Sequence, residues 1–203
     1  TVENGGHTST GLVGGQWLMR VLSDNGRPDV AYGIAAKSDY PSWGYMVGKN
    51  ATTIWELWNG DTADPAMNSH NHVMLVGDLA TWLYAYVGGI RAGEPGYHTL
   101  VLKPCPVEGL DYANVSWLSP YGQVFSRWTR AGSKLTWRVT VPANTTATVH
   151  VPTSDPAGVL ESGKPAAEAE GVRLVDPEPG AAVYTVGSGE YVFEAAYCDR
   201  RTA

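Results

Sequence analysis

The chain has 203 residues, 43% hydrophobic and only 17% charged, which excludes a disordered polymer and leaves room for one sizeable core or two small ones. A formal net charge of −6 with no Lys/Arg-rich run makes nucleic acid and anionic membrane surfaces poor partners. Eight Trp and eleven Tyr against two Phe favour neutral polar ligands such as sugars, because these rings join a flat apolar face to a hydrogen-bonding edge; a Trp-rich core gives the same count.

The chain opens "TVENGGHTST", with neither Met nor an apolar leader, and reads as a cut inside a longer protein. In "TGLVGGQWLMRVLSDNG", apolar residues at Leu12, Val13, Trp17, Leu18, Val21 and Leu22 recur at helical spacing. Thr10 serves as the expected N-cap and "DNG" as the stop. A second helix is expected in "RPDVAYGIAAKSDYP", with Pro28 in its first turn and Pro41 breaking it. A short third follows in "PSWGYMVGKN".

Between the third and fourth helices lies "ATTIWELWNG", residues 51–60, where Glu56 stands between Trp55 and Trp58. Three β-branched residues precede it and "NGDTAD" follows, so a loop is expected, where functional residues concentrate. An ordinary Glu pairs with an Arg or caps a helix. A carboxylate in an aromatic surround loses part of its hydration and exchanges protons near neutral pH.

The segment "MNSHNHV" follows, with His70 and His72 two residues apart. That spacing shares a face only on a strand, no third ligand follows, and no metal is expected. Asn68 or Ser69 is expected to cap the next helix, and one histidine to face the cavity that Glu56 lines. That helix, "NHVMLVGDLATWLYAYVGGI", is apolar on nearly every side and calls for burial among other helices. Gly88 and Gly89 end it.

After "RAGEPGYHT" come short β-branched and aromatic runs, from "HTLVLKPCP" to "AVYTVGSGEYVFEAA", parted by Gly, Pro, Asn and Ser. They read as an antiparallel sandwich, with "SDPAG" and "DPEPG" as turns. Tyr121, Arg127 and Trp128 are read as core or cross-strand residues before a carbohydrate-binding face. Cys105 and Cys198 fit no metal spacing and are read as free thiols or small buried residues, their pairing left open.

The ordered motifs "STGLVG", "LSDNGRPDVAYGIA", "YPSWGYMV", "ATTIWELWNG", "MNSHNHVMLVGDLATWLYAYVGGI", "LKPCP", "GLDYANVSWLSPYGQVFSRW" and "VPANTTATVHVP" resemble the C-terminal part of bacterial α-L-rhamnosidases of glycoside hydrolase family 78. The resemblance covers roughly residues 8–152. It implies an α+β chain in two parts: residues 1–92 as the closing helices of an (α/α)6 barrel, and residues 93–203 as an antiparallel β-sandwich.

It also implies inverting hydrolysis of terminal α-L-rhamnose from glycosides or polysaccharides, with Glu56 as general base, His72 binding sugar hydroxyls, and Trp55 and Trp58 as pocket walls. Family members often carry a bulky apolar residue where His70 stands, and a basic one where Leu57 stands. The family's general acid belongs to motifs of the "DCPxRER" kind, and none occurs here. The expected partner is therefore the remainder of the barrel, from a preceding segment or another chain; no cofactor is expected, and the location is left open as cytoplasmic or secreted. The rival reading is a non-catalytic carbohydrate-binding or structural module, and a third is the same barrel with another sugar specificity.

Overall fold

In the computed structural model, the described residues are 5–175 and 178–197; Cys198 lies outside them. The chain divides into two compact units, Thr1–Trp82 and Leu83–Ala203.

The first unit is helical: α1 (Leu12–Asp24), α2 (Pro28–Ala35), α3 (Trp43–Gly48) and α4 (Val73–Trp82). Pro28 takes the first position of α2, where a missing N–H costs nothing. Ser42 caps α3 by accepting from the Tyr45 N–H at 2.9 Å. The expected cap of α1 is not used: its N-cap is Gly11, without a side-chain bond. The Thr10 hydroxyl is instead engaged with that of Thr8 at 2.8 Å.

α1 packs on α2 and α4. Its inner side buries Met19, which shares the core with Ala31, Ile34, Met46 and Trp82. Two polar contacts fix α1 against α4: Arg20 with Asp78 at 3.1 Å, and the Trp82 indole N–H to the Ser23 hydroxyl at 2.8 Å. On its outer side Val13, Trp17 and Val21, four residues apart, are each more than half exposed.

The second unit opens with a π-helical turn, Leu83–Val87, closed by the Gly88 N–H on the Leu83 carbonyl at 2.8 Å. Gly89 follows with φ +73°, and a Cβ there would stand 2.2 Å from the Pro104 nitrogen, so only glycine fits. The strands are β1 (Ile90–Ala92), β2 (Thr99–Leu102), β3 (Tyr112–Ser119), β4 (Gly122–Ala131), β5 (Lys134–Val141), β6 (Thr146–Pro152), β7 (Leu160–Glu161), β8 (Lys164–Pro165), β9 (Val172–Leu174), β10 (Ala181–Val186) and β11 (Gly189–Ala196). Ile90–Ala92 already pairs with Thr99–Leu102, so strand structure begins before residue 93.

One sheet has the order β1-β2-β6-β10-β9 and the other β3-β4-β5-β11-β7-β8. Pairing is antiparallel except between β2 and β6, which run parallel with Thr99 opposite Thr146. The exception follows from connectivity: the hairpins of β3, β4 and β5 fill the other sheet before the chain returns, and such a crossover brings a strand back in the same direction. Between the sheets Tyr184 stacks on Phe193 at 5.8 Å, and Trp128 and Trp137 are fully buried. Trp128 therefore belongs to the core, while Tyr121 and Arg127 remain exposed. "SDPAG" forms a 3₁₀ turn, Pro156–Gly158, capped by Asp155.

Candidate active site

The loop of Glu56 is held by a second irregular segment, residues 68–72. The Ile54 carbonyl accepts from the His72 N–H at 2.7 Å, and the Glu56 N–H donates to the Ser69 carbonyl at 2.8 Å. A regular antiparallel ladder pairing Ile54 with His72 would set Glu56 opposite His70. Its bond reaches Ser69 instead, so the second segment carries one extra residue, the geometry of a β-bulge. The Thr53 hydroxyl adds a bond to the His70 carbonyl.

This bulge sends the two histidines to different partners. The His72 ring brings Nδ1 within 3.9 Å of Glu56 Oε2, too long for a hydrogen bond. His72 Nε2 is buried and has no partner among the described residues. His70 turns the other way, with Nε2 3.0 Å from the Gly60 carbonyl oxygen and its ring 5.9 Å from that of Trp55.

Asn68 and Ser69 do not cap α4, which begins four residues after Ser69. Their polar groups go to the Glu56 loop. The Leu57 N–H donates to Asn68 Oδ1 at 3.1 Å, and the Ser69 N–H donates to Glu56 Oε2 at 3.1 Å. The Ser69 hydroxyl accepts from the Asn71 N–H at 3.3 Å. Cap grammar is local, whereas these bonds span 11 to 13 positions; the sequence gives no sign of them.

Glu56 thus has one oxygen held by a backbone amide and the other, Oε1, with no partner among the described residues, on a side chain about one-third exposed. That is what a proton acceptor requires: a fixed carboxylate with an open lone pair. Trp55 lies beneath the loop at 7% exposure, so close to Gly60 that a Cβ there would come within 2.7 Å of the indole. Trp58 donates its indole N–H to the Thr10 carbonyl at 3.2 Å and meets Trp43 edge-on at 5.2 Å. The two indoles therefore anchor the loop from below and from the side of α1.

Among the described residues no group of three or more His, Cys, Asp or Glu side chains could hold a metal ion. A concavity of about 630 Å³ lies in the strand unit, lined by Thr99, Thr146, Thr148, Arg173 and Thr185 among others. No carboxylate lines it, so it lacks the groups for acid–base hydrolysis, and Glu56 remains the better candidate.

Residues 1–87 match the model of the bacterial alpha-L-rhamnosidase 6 hairpin glycosidase domain, and residues 89–165 that of the bacterial alpha-L-rhamnosidase C-terminal domain. An alpha-L-rhamnosidase of Streptomyces avermitilis is 36% identical over 192 residues, which are 92% of this chain and 18% of that protein. One from Formosa agariphila is 32% identical over 200 residues, 96% of this chain and 22% of the relative. In space, the chain is similar to the Streptomyces avermitilis alpha-L-rhamnosidase complexed with L-rhamnose, with a TM-score of 0.86, 36% identity, and coverage of 95% of this chain and 18% of that one. The alpha-L-rhamnosidase from Dictyoglumus thermophilum gives a TM-score of 0.84 at 36% identity, covering 93% of this chain and 21% of the other. The chain spans about a fifth of the length of the relatives it matches.

Proposed function

Because this chain belongs to the bacterial α-L-rhamnosidase family, we propose that it supplies the general base for inverting hydrolysis of terminal α-L-rhamnose in glycosides or polysaccharides. The observation that supports this most is the state of Glu56, one oxygen held by the Ser69 amide and the other open.

In the reaction, Glu56 Oε1 takes a proton from a water molecule as that water's oxygen attacks the anomeric carbon. The bond from that carbon to the leaving oxygen breaks, and a second carboxyl group, roughly 6.5 to 9.5 Å from the first, protonates the leaving oxygen. That acid comes from the remainder of the barrel, a preceding segment or another chain, which also completes the grip on the sugar. His72 binds a sugar hydroxyl. Trp55 and Trp58 form the floor and flank of the pocket. The helices of residues 1–87 make the barrel's closing part, and the strands from Ile90 onward make the sandwich.

The test is the configuration of the first product. When the full-length enzyme hydrolyses p-nitrophenyl α-L-rhamnoside in D₂O, proton NMR should show β-L-rhamnose first, before mutarotation. Initial α-L-rhamnose would overturn inversion, and no rhamnose release would overturn the substrate.

A further inference from the structure

We propose that Asn68 is a positioning residue for the general base, acting through the backbone that carries Glu56. The inference rests on Glu56 being the base.

A carboxylate on a loop aims only as well as its backbone is held. Glu56 has an anchor on its own N–H, which donates to the Ser69 carbonyl at 2.8 Å. The next amide, that of Leu57, has no backbone acceptor in the loop and is taken by Asn68 Oδ1 at 3.1 Å. The Ser69 amide, next to Asn68 in the chain, closes the ring by donating to Glu56 Oε2 at 3.1 Å. Three bonds between residues 56–57 and 68–69 thus fix the rotation of the peptide unit after Glu56 and the plane of its carboxylate. Of the three, only the Asn68 bond comes from a side chain that substitution can remove without moving Glu56 itself.

A second observation sets Asn68 apart from an ordinary turn residue. With Oδ1 facing the Leu57 N–H, the amide orientation is assigned, because the flipped form would set two donors against each other. Nδ2 is then buried with no partner among the described residues. A half-satisfied buried amide is costly beside an apolar group of the same shape. The grip on Leu57 gives the reason for having an amide there. Leu57 itself is 38% exposed and needs no such anchor for packing.

Displacing a reacting group by about 1 Å costs on the order of a hundredfold in rate. In the full-length enzyme, Asn68→Ala should lower kcat on p-nitrophenyl α-L-rhamnoside by about 10- to 100-fold with KM within about twofold. Asn68→Asp keeps an acceptor for the Leu57 N–H, so it should recover most of that loss. Its added charge beside Glu56 should also move the acid limb of the pH–rate profile upward, which reports that the two side chains are neighbours, while the recovery of kcat reports the hydrogen bond to Leu57. Should the alanine variant fail to fold, the Asp variant alone decides, through kcat and the acid limb. Asn68→Ala within twofold of wild type, a change in KM alone, or an Asp variant no better than Ala with an unmoved acid limb would each overturn the proposal. Glu56→Gln run in parallel separates the two claims. If it is inactive while Asn68→Ala is normal, only the positioning role fails; if it is active, the base assignment fails.

Discussion

At the scale of single residues, the site depends on which atoms are held and which are left open. The motifs around Glu56 and His72 singled out both residues, and the fold sets His72 Nδ1 3.9 Å from Glu56 Oε2. The bulge that aims His72 at Glu56 and His70 at Gly60 was not legible, since it arises from pairing between segments more than ten residues apart. If His72 binds a sugar hydroxyl, His72→Ala should raise KM about tenfold, the worth of one good hydrogen bond, with a smaller effect on kcat; an unchanged KM would return the ring to a packing role. Gly60 offers a stability test. A methyl group there would come within 2.7 Å of the Trp55 ring, so Gly60→Ala should destabilise the chain by about 1–3 kcal/mol in urea titration.

The elements themselves were read well where their signal is local. Leu12–Asp24 and Pro28–Ala35 follow from helical spacing and Pro28, and the strands follow from β-branched runs between turn residues. What escaped was tertiary: Gly11 in place of Thr10 as the cap of α1, the π-turn after Trp82, and the parallel pairing of β2 with β6, whose partners lie 47 positions apart at Thr99 and Thr146. The sandwich also hides a polar chain in its core. Ser126, fully buried, donates to the Gly88 carbonyl at 2.5 Å and accepts from the Trp137 indole at 2.9 Å, while Trp128 donates to the Val87 carbonyl at 2.8 Å. Ser126→Ala leaves a carbonyl and an indole N–H without partners, and thermal or urea unfolding should show a loss of about 1–3 kcal/mol.

At the outer face of the first sheet, burial and the nearby Lys103 push the His150 imidazole below its ordinary 6.5, with Arg91 adding to this and Glu178 opposing it. Lys103, bonded at 2.7 Å, holds the Glu178 carboxyl below its usual range, with help from His150. His150 Nδ1 stands 3.3 Å from Glu178 Oε2 but out of line for a hydrogen bond. For both groups the folded chain binds fewer protons than the unfolded chain, so stability rises with pH. The His150 contribution is whole above 6.5 and falls as pH drops below it. The Glu178 contribution is whole above its ordinary 4.5 and is lost as pH falls through its lowered folded value. The melting temperature should fall as pH drops below 6.5 and again below 4.5, and a flat profile from about pH 7 to pH 4 would contradict this reading.

For the molecule as a whole, the stripe of Val13, Trp17 and Val21 leaves an exposed apolar face on α1. We expect the remainder of the barrel to cover it. Trp17→Ala should then cost less than about 0.5 kcal/mol in this chain alone and about 3 kcal/mol or more in the full-length enzyme; equal small costs in both would leave the stripe solvent-facing. The sequence made the two-part architecture legible because helical periodicity gives way to strand alternation around residue 90. It could not supply the second carboxyl, which is absent from these motifs. The proposed reaction therefore turns on Glu56. The measurement that tests it most directly is the turnover of p-nitrophenyl α-L-rhamnoside by the full-length enzyme carrying Glu56→Gln, an isosteric change that removes the base. With Glu56 as the base, kcat should fall by about a hundredfold or more with KM little changed. Turnover near that of the wild type would show that another group activates the water.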